Sequence, residues 1–161
     1  MDGSTPISIR ALRPSDLPCV HRLIHATIDA CYAGSYPPRA VQFFKDYHSE
    51  AAIAERHQRG NVLVCEENGA IIATGSILDG EILGVFVSPA HQGRGCGKAL
   101  MCELERRARM KRLTEVTLSV SLPSRRFYER LGYEVGPPLS HDVGEGQRLD
   151  YWKARKALSS A

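Results

Sequence analysis

An α+β domain built around one mixed sheet is the fold class this sequence predicts. Three observations carry that expectation. The chain has 161 residues, about one domain's length. Hydrophobic residues are 43% and charged residues 24%, the balance of a folded globule and not of a disordered tail, a collagen or a coiled-coil rod. The texture also changes after Gly60-Asn61, from a helical block to short apolar runs joined by tight turns, so the elements read in the order β, helices, βββ, α, β, α, ββ. No repeat, linker or low-complexity tract divides the chain. One domain over 1–161, with a core of about 7–154, is expected.

The elements follow in order. Residues 7–12 alternate apolar and polar, as a half-buried strand does. Asp16 offers an N-cap, and Leu17, Val20, Ile24, Ile28 and Cys31 fall on one stripe, so residues 16–32 form a helix. Gly34 to Pro38 is a break. Residues 39–48 and 50–58 read as two short helices, the second capped by Ser49. Strands follow at 62–65, 70–78 and 81–87, joined by turns at Asn68-Gly69 and Asp79-Gly80, an antiparallel meander. A helix at 95–110 buries Leu100, Met101, Leu104 and Ala108. A strand at 116–120 precedes a short helix at 122–131 that Gly132 closes. One strand starts at Val135, and another runs from Arg148 to Trp152.

Composition narrows function. The formal net charge is +3, which suits one anionic small molecule better than a nucleic acid. Cys19, Cys31, Cys65, Cys96 and Cys102 are odd in number and form no C-x-x-C pair. They read as reduced thiols in a cytoplasmic protein. The opening residues lack the basic and apolar regions of a signal peptide. No apolar run reaches the ~20 residues that span a bilayer, so no membrane partner is expected.

The most informative stretch runs from Val85 to Lys98. A strand feeds a loop, and the loop opens a helix. Gly93, Gly95 and Gly97 let a ligand approach the backbone. The first-turn amides of a helix have no intrahelical acceptor and carry partial positive charge, so they suit a phosphate or pyrophosphate. Arg94 and Lys98 add full charges. The Walker pattern is absent, because Ala99 follows Lys98, and G-x-G-x-x-G does not occur.

Here the sequence resembles the GNAT superfamily of acyl-CoA-dependent N-acetyltransferases. Gln92-Gly93-Arg94-Gly95-Cys96-Gly97 fits that family's pyrophosphate loop, Gln/Arg-x-x-Gly-x-Gly/Ala, at every fixed position. Ser121 to Tyr133 is similar to its late motif, N-x-x-A-x-x-F-Y-x-x-x-G-[FY], with Ser121 in place of Asn and Ser124 in place of Ala. The likeness is strong over about residues 60–135 and weaker before.

The resemblance implies a GNAT fold in which the third meander strand splays from the next, parallel strand. Coenzyme A would lie in that gap, its pantetheine pairing with the open edge at Val85, Phe86 and Val87. Gln92 through Lys98 would hold the pyrophosphate, with Ser121 and Phe127 also on the cofactor. Arg125 or Arg126 would meet the 3′-phosphate. The implied reaction passes an acetyl group from acetyl-CoA, as co-substrate, directly to a primary amine of a small molecule or peptide. Tyr128 stands at the family position of the acid beside the departing sulfur. A phenol, with an ordinary pKa of about 10, is protonated at neutral pH. Glu81 is the candidate base. Period-two alternation puts it on the face of Leu83, Val85 and Val87 unless a bulge intervenes. A backbone N–H near Val87 would meet the oxyanion.

On the acceptor side, Tyr36 follows a glycine and precedes Pro37-Pro38, so it is expected to face a pocket and touch substrate. Phe43, Phe44 and Tyr47 are expected in the helix core. Asp46 is the single acid of that segment, which disfavours polyamines and aminoglycosides. His21 and His25 are one helical turn apart, but no further ligand completes a site, and no metal is expected. The run from Arg106 to Arg112 reads as a solvated helix end. Two rival functions stay open: a non-catalytic acyl-CoA sensor and a basic nucleic-acid-binding domain. A monomer or homodimer is expected.

Overall fold

The computed structural model describes residues 6–159. The opening segment read for a leader lies, but for Pro6, outside them. Strands β1 (Ser8–Ala11), β2 (Asn61–Glu67), β3 (Ala70–Leu78), β4 (Glu81–Val87), β5 (Glu115–Ser121), β6 (Glu134–Gly144) and β7 (Gln147–Ala157) form one sheet. Its order is β1-β2-β3-β4-β5-β7-β6. The β4–β5 pair is parallel, and every other neighbouring pair is antiparallel.

Helices α1 (Leu17–Cys31), α2 (Pro38–Tyr47) and α3 (Glu50–Arg59) lead into the meander, and α4 (Cys96–Met110) and α5 (Arg125–Arg130) follow it. Ser49 caps α3 by accepting from the Ala52 amide at 3.2 Å. The two sheet faces bury separate cores. Val20, Ile24 and Ile28 of α1 pack with Val62, Val64 and Phe86. Leu100, Met101 and Leu104 of α4 pack with Leu63, Cys65 and Ile82. Alternation along β2, with Val62 and Val64 on one face and Leu63 and Cys65 on the other, is what divides them.

Most expected bounds agree within a residue or two. The last strands are longer than expected, because β6 and β7 pair with each other from Glu134↔Arg155 to Gly144↔Gln147. Their exposed residues give no apolar signal. The basic run at the end of α4 makes local pairs: Arg106 and Arg107 both bond Glu103, and Arg109 sits 3.9 Å from Glu105.

Candidate active site

The β4–β5 pair holds only at its start. Glu81 partners Thr117 and Ile82 partners Leu118, and from Leu83 onward the strands diverge. The far edge of β4, including Val85, Phe86 and Val87, is therefore open toward β5, as expected.

A bulge sits in that edge. Thr74 partners Phe86, whereas Ser76 partners Leu83. Gly75 thus faces both Gly84 and Val85, the two-against-one count of a β-bulge. Gly84 takes φ +65°, and a Cβ there would lie 3.2 Å from Arg56 Nη1. A residue without a side chain is needed on both counts. The bulge corrects the face expected for Glu81. Ile82, Val85 and Val87 pack on the α4 side, and Phe86 packs on the α1 side. Glu81 shares the face of Phe86, not that of Val85 and Val87.

The loop after β4 is built for close approach. Gly93 has φ +76° and Gly95 has φ +87°, and nothing lies within 4 Å of a Cβ at either. Gly95 is the N-cap of α4, with no side-chain cap. Gln92 Nε2 donates to the Val87 carbonyl at 3.0 Å, which turns the loop back onto the strand end. Gly97 is buried against Phe127, whose ring lies 3.0 Å from where its Cβ would be. Arg94 is held by Glu67, with both contacts at 3.2 Å. Arg125 pairs with Glu129 at 3.2 Å and stacks 4.8 Å over Trp152.

Two cavities meet at this edge. One, of about 490 Å³, is lined by Gln92, Gly93, Gly95, Cys96, Gly97, Lys98 and Phe127. The other, of about 280 Å³, is lined by α2, β4, β5, β6 and β7 residues including Phe43, Tyr47, His48, Glu81, His141, Tyr151 and Lys153. Tyr32, Val85, Phe86, Ser124 and Tyr128 line both. A thread entering one side of the sheet would thus meet a molecule entering from the other beside Tyr128.

Tyr128 is 7% exposed, and burial pushes its phenol pKa up. It stays protonated at neutral pH. Its hydroxyl has no hydrogen-bond partner among the described residues. Glu81 lines the smaller cavity and stands 3.7 Å from Lys153 Nζ. Ser121 lines the smaller cavity, not the loop-side one, and its Oγ lies 2.6 Å from Ser124 Oγ.

Tyr36 departs from the expectation that it faces a pocket. It is 5% exposed and lines neither cavity. Its hydroxyl donates to the Asp150 carbonyl at 2.7 Å and accepts from the Leu122 amide at 2.9 Å. Those partners lie far along the chain, so no local signal announces them. The expectation that Phe43 and Tyr47 are core is also corrected. They are 38% and 49% exposed and form cavity wall. Phe44 does pack inward, edge-on to Tyr32 and Tyr36. His48 and Lys153 were not singled out by the sequence. His48 sits in a helix-ending turn, and Lys153 alternates with buried neighbours on β7.

The His21 and His25 rings lie tilted at 45° with centroids 4.0 Å apart, and no metal-binding group is found among the described residues. No helix among them is long and apolar enough to cross a membrane.

A family model for the acetyltransferase (GNAT) domain matches residues 32–142. The fold is similar to that of a GCN5-related N-acetyltransferase from Rhodopseudomonas palustris, with a TM-score of 0.86 at 23% identity over 98% of this chain and 99% of that one. It is also similar to the PaiA N-acetyltransferase of Thermoplasma acidophilum in complex with coenzyme A, with a TM-score of 0.76 at 20% identity over 94% and 99%. YncA from Salmonella typhimurium, solved with its cofactor acetyl-CoA, gives a TM-score of 0.70 at 25% identity over 96% and 95%. No curated protein matches the sequence.

Proposed function

Since the chain belongs to the GNAT acetyltransferase family, we propose that it moves an acetyl group from acetyl-CoA to a primary amine of a small molecule or peptide. One observation carries this reading: the loop-side cavity and the aromatic cavity join at Val85, Phe86 and Tyr128. The open glycine cradle at Gly93 and Gly95 fits the coenzyme, since a Cβ at either position would occupy space that is now clear.

When bound, acetyl-CoA supplies a thioester-activated acetyl group. The protein's own residues do the rest. The α4 N-terminus, with Arg94 and Lys98 beside it, binds the pyrophosphate. The unpaired edge of β4 beyond Ile82 offers amides and carbonyls to pantetheine, as an extra strand would. Tyr128, kept protonated by burial, donates toward the departing sulfur. Glu81 accepts the proton that the amine must lose. Phe43, Tyr47 and Tyr151 wall the acceptor. The five free thiols fit a cytoplasmic setting.

Thiol release from acetyl-CoA over a panel of primary amines tests the proposal. Amine-dependent release is expected. Acetyl-CoA that raises the melting temperature without amine-dependent release would overturn it in favour of a sensor. Duplex affinity that falls steeply with salt, together with no stabilisation by acetyl-CoA, would overturn it in favour of nucleic-acid binding.

A further inference from the structure

His48 ends the α2 segment and is 5% exposed. Its carbonyl accepts from His25 Nε2 at 2.9 Å, which ties it to α1. Its Nδ1 lies 3.0 Å from Arg56 Nη1. A guanidinium has donors and no acceptor. Nδ1 must therefore be the bare, accepting nitrogen, and the ring proton resides on Nε2. Arg56 is itself fixed, because Nη2 donates to the Tyr47 carbonyl at 2.7 Å. Nε2–H has no partner among the described residues, and the ring lines the aromatic cavity. Its centroid lies 5.1 Å from that of Phe86, where the two cavities join.

We propose that His48 is a specificity-determining residue, a fixed Nε2–H donor that selects aromatic amines bearing a carbonyl oxygen next to the reacting amine. This rests on the acetyltransferase reading above. The aromatic part of the class follows from the wall: Tyr32, Phe43, Phe44, Tyr47, Phe86 and Tyr151 all line the cavity. The charge part follows from the ionic side chains there. Glu81 and Lys153 have opposite signs and lie 3.7 Å apart, so the cavity offers no net field for a polycation. The carbonyl part follows from place. A donor beside Phe86 reaches an atom close to the amine, and a neutral donor with no acceptor role pairs with oxygen rather than with an ammonium.

The ring does not double as a base. Burial first, then Arg56 of α3 and His25 of α1, hold its pKa down at about 3. Tyr47 stacks edge-on against it, and β4 offers it Gly84 and Phe86, which carry no charge. Glu81 and Lys153 share its cavity.

The test pairs phenylalaninamide with phenethylamine, which differ by the carboxamide. With coenzyme A present, ¹⁵N-resolved NMR of the intact protein should report the Nε2–H tautomer of His48, unchanged from pH 5 to 8. Phenylalaninamide should shift that resonance and phenethylamine should not. An Nδ1–H tautomer, titration near the ordinary histidine value, or equal response to both amines would overturn the assignment. His48→Asn keeps an acceptor for Arg56 and draws the donor back, because its amide N–H2 falls short of the place of Nε2. It should raise KM for phenylalaninamide about tenfold, the scale of one lost hydrogen bond, and leave phenethylamine within about twofold. Equal losses for both amines would mean that His48 is only structural. A shifted resonance without turnover of either amine would sink the acetyltransferase reading and leave the binding role of His48 standing.

Discussion

The hydroxyl of Tyr36 and the carbonyl of Asp150 meet at 2.7 Å, joining the turn after α1 to β7. The same oxygen accepts from the Leu122 amide, so one phenol ties three distant segments. Burial lifts its pKa to about 12. Tyr36→Phe would strand a part-buried carbonyl and amide and should cost about 1–2 kcal/mol. Urea unfolding measures that loss. Acceptor KM should stay as it is, and a rise without destabilisation would restore Tyr36 to the acceptor site.

Tyr128→Phe removes a donor while keeping the ring's packing. Turnover should fall by roughly 10–10⁴-fold, the range of general-acid effects, with acetyl-CoA affinity changed little. Steady-state kinetics and a binding isotherm together make the check. Turnover at the wild-type rate would free Tyr128 of any chemical role.

Glu81→Gln should cost about 10²-fold in rate at pH 7. The deficit should shrink as pH rises, because a free amine then needs no base. A pH–rate profile from pH 6 to 10 reads this. A constant deficit would mean that Glu81 places the acceptor, in concert with Lys153 at 3.7 Å, without taking its proton.

Gly95→Ala puts a side chain at φ +87° where nothing lies within 4 Å. The left-handed backbone should cost about 1 kcal/mol, or about 2–4 °C in Tm for a chain of this size. Acetyl-CoA affinity should fall more than tenfold. Unchanged affinity in the folded variant would reduce the loop to a turn.

Arg10 bridges Asp16 and Glu66, each at 2.7 Å, and joins β1 to the start of α1 and to β2. The hydrogen bond to Arg10 holds Asp16 below the usual carboxylate range. A depressed carboxylate stabilises the fold above its unfolded pKa, and that contribution is lost as pH falls through the folded value. Arg10→Met should therefore flatten the loss of stability between pH 5 and pH 2. The Arg10–Asp16 limb should be worth about 1 kcal/mol at pH 7. Urea midpoints across that range give the slope, and an unchanged slope would mean that the pair is inert.

Much of this was legible along the chain because it is local. Gln92 to Lys98 carries its own glycines and cations, and the turns at Asn68-Gly69 and Asp79-Gly80 mark the meander. The aromatic cavity was not, because it is assembled from distance. Phe43, Glu81, His141 and Lys153 come from four elements, and nothing near any one of them marks the cavity. The bulge at Gly84 was hidden for a related reason: it is defined by the partner strand, where Gly75 meets two residues. One extra residue there reversed the face assigned to Glu81. Tyr36 failed by the same route, since its neighbours in sequence are a glycine and prolines, while its bonds reach residues 122 and 150.

Among the described residues, two rungs, Glu81↔Thr117 and Ile82↔Leu118, pair β4 with β5 and so join β1–β4 to β5–β7 within the sheet. Past those rungs the two strands part like a short hinge, while Leu63, Ile82, Val116 and Leu118 hold both halves of the sheet to one core. Amides of β4 and β5 past that hinge should exchange with solvent sooner than those of β2 or β3, which are zipped along their length. A ligand lying in the crack would act as a weld between those two edges, and its binding would be felt as slower exchange along both.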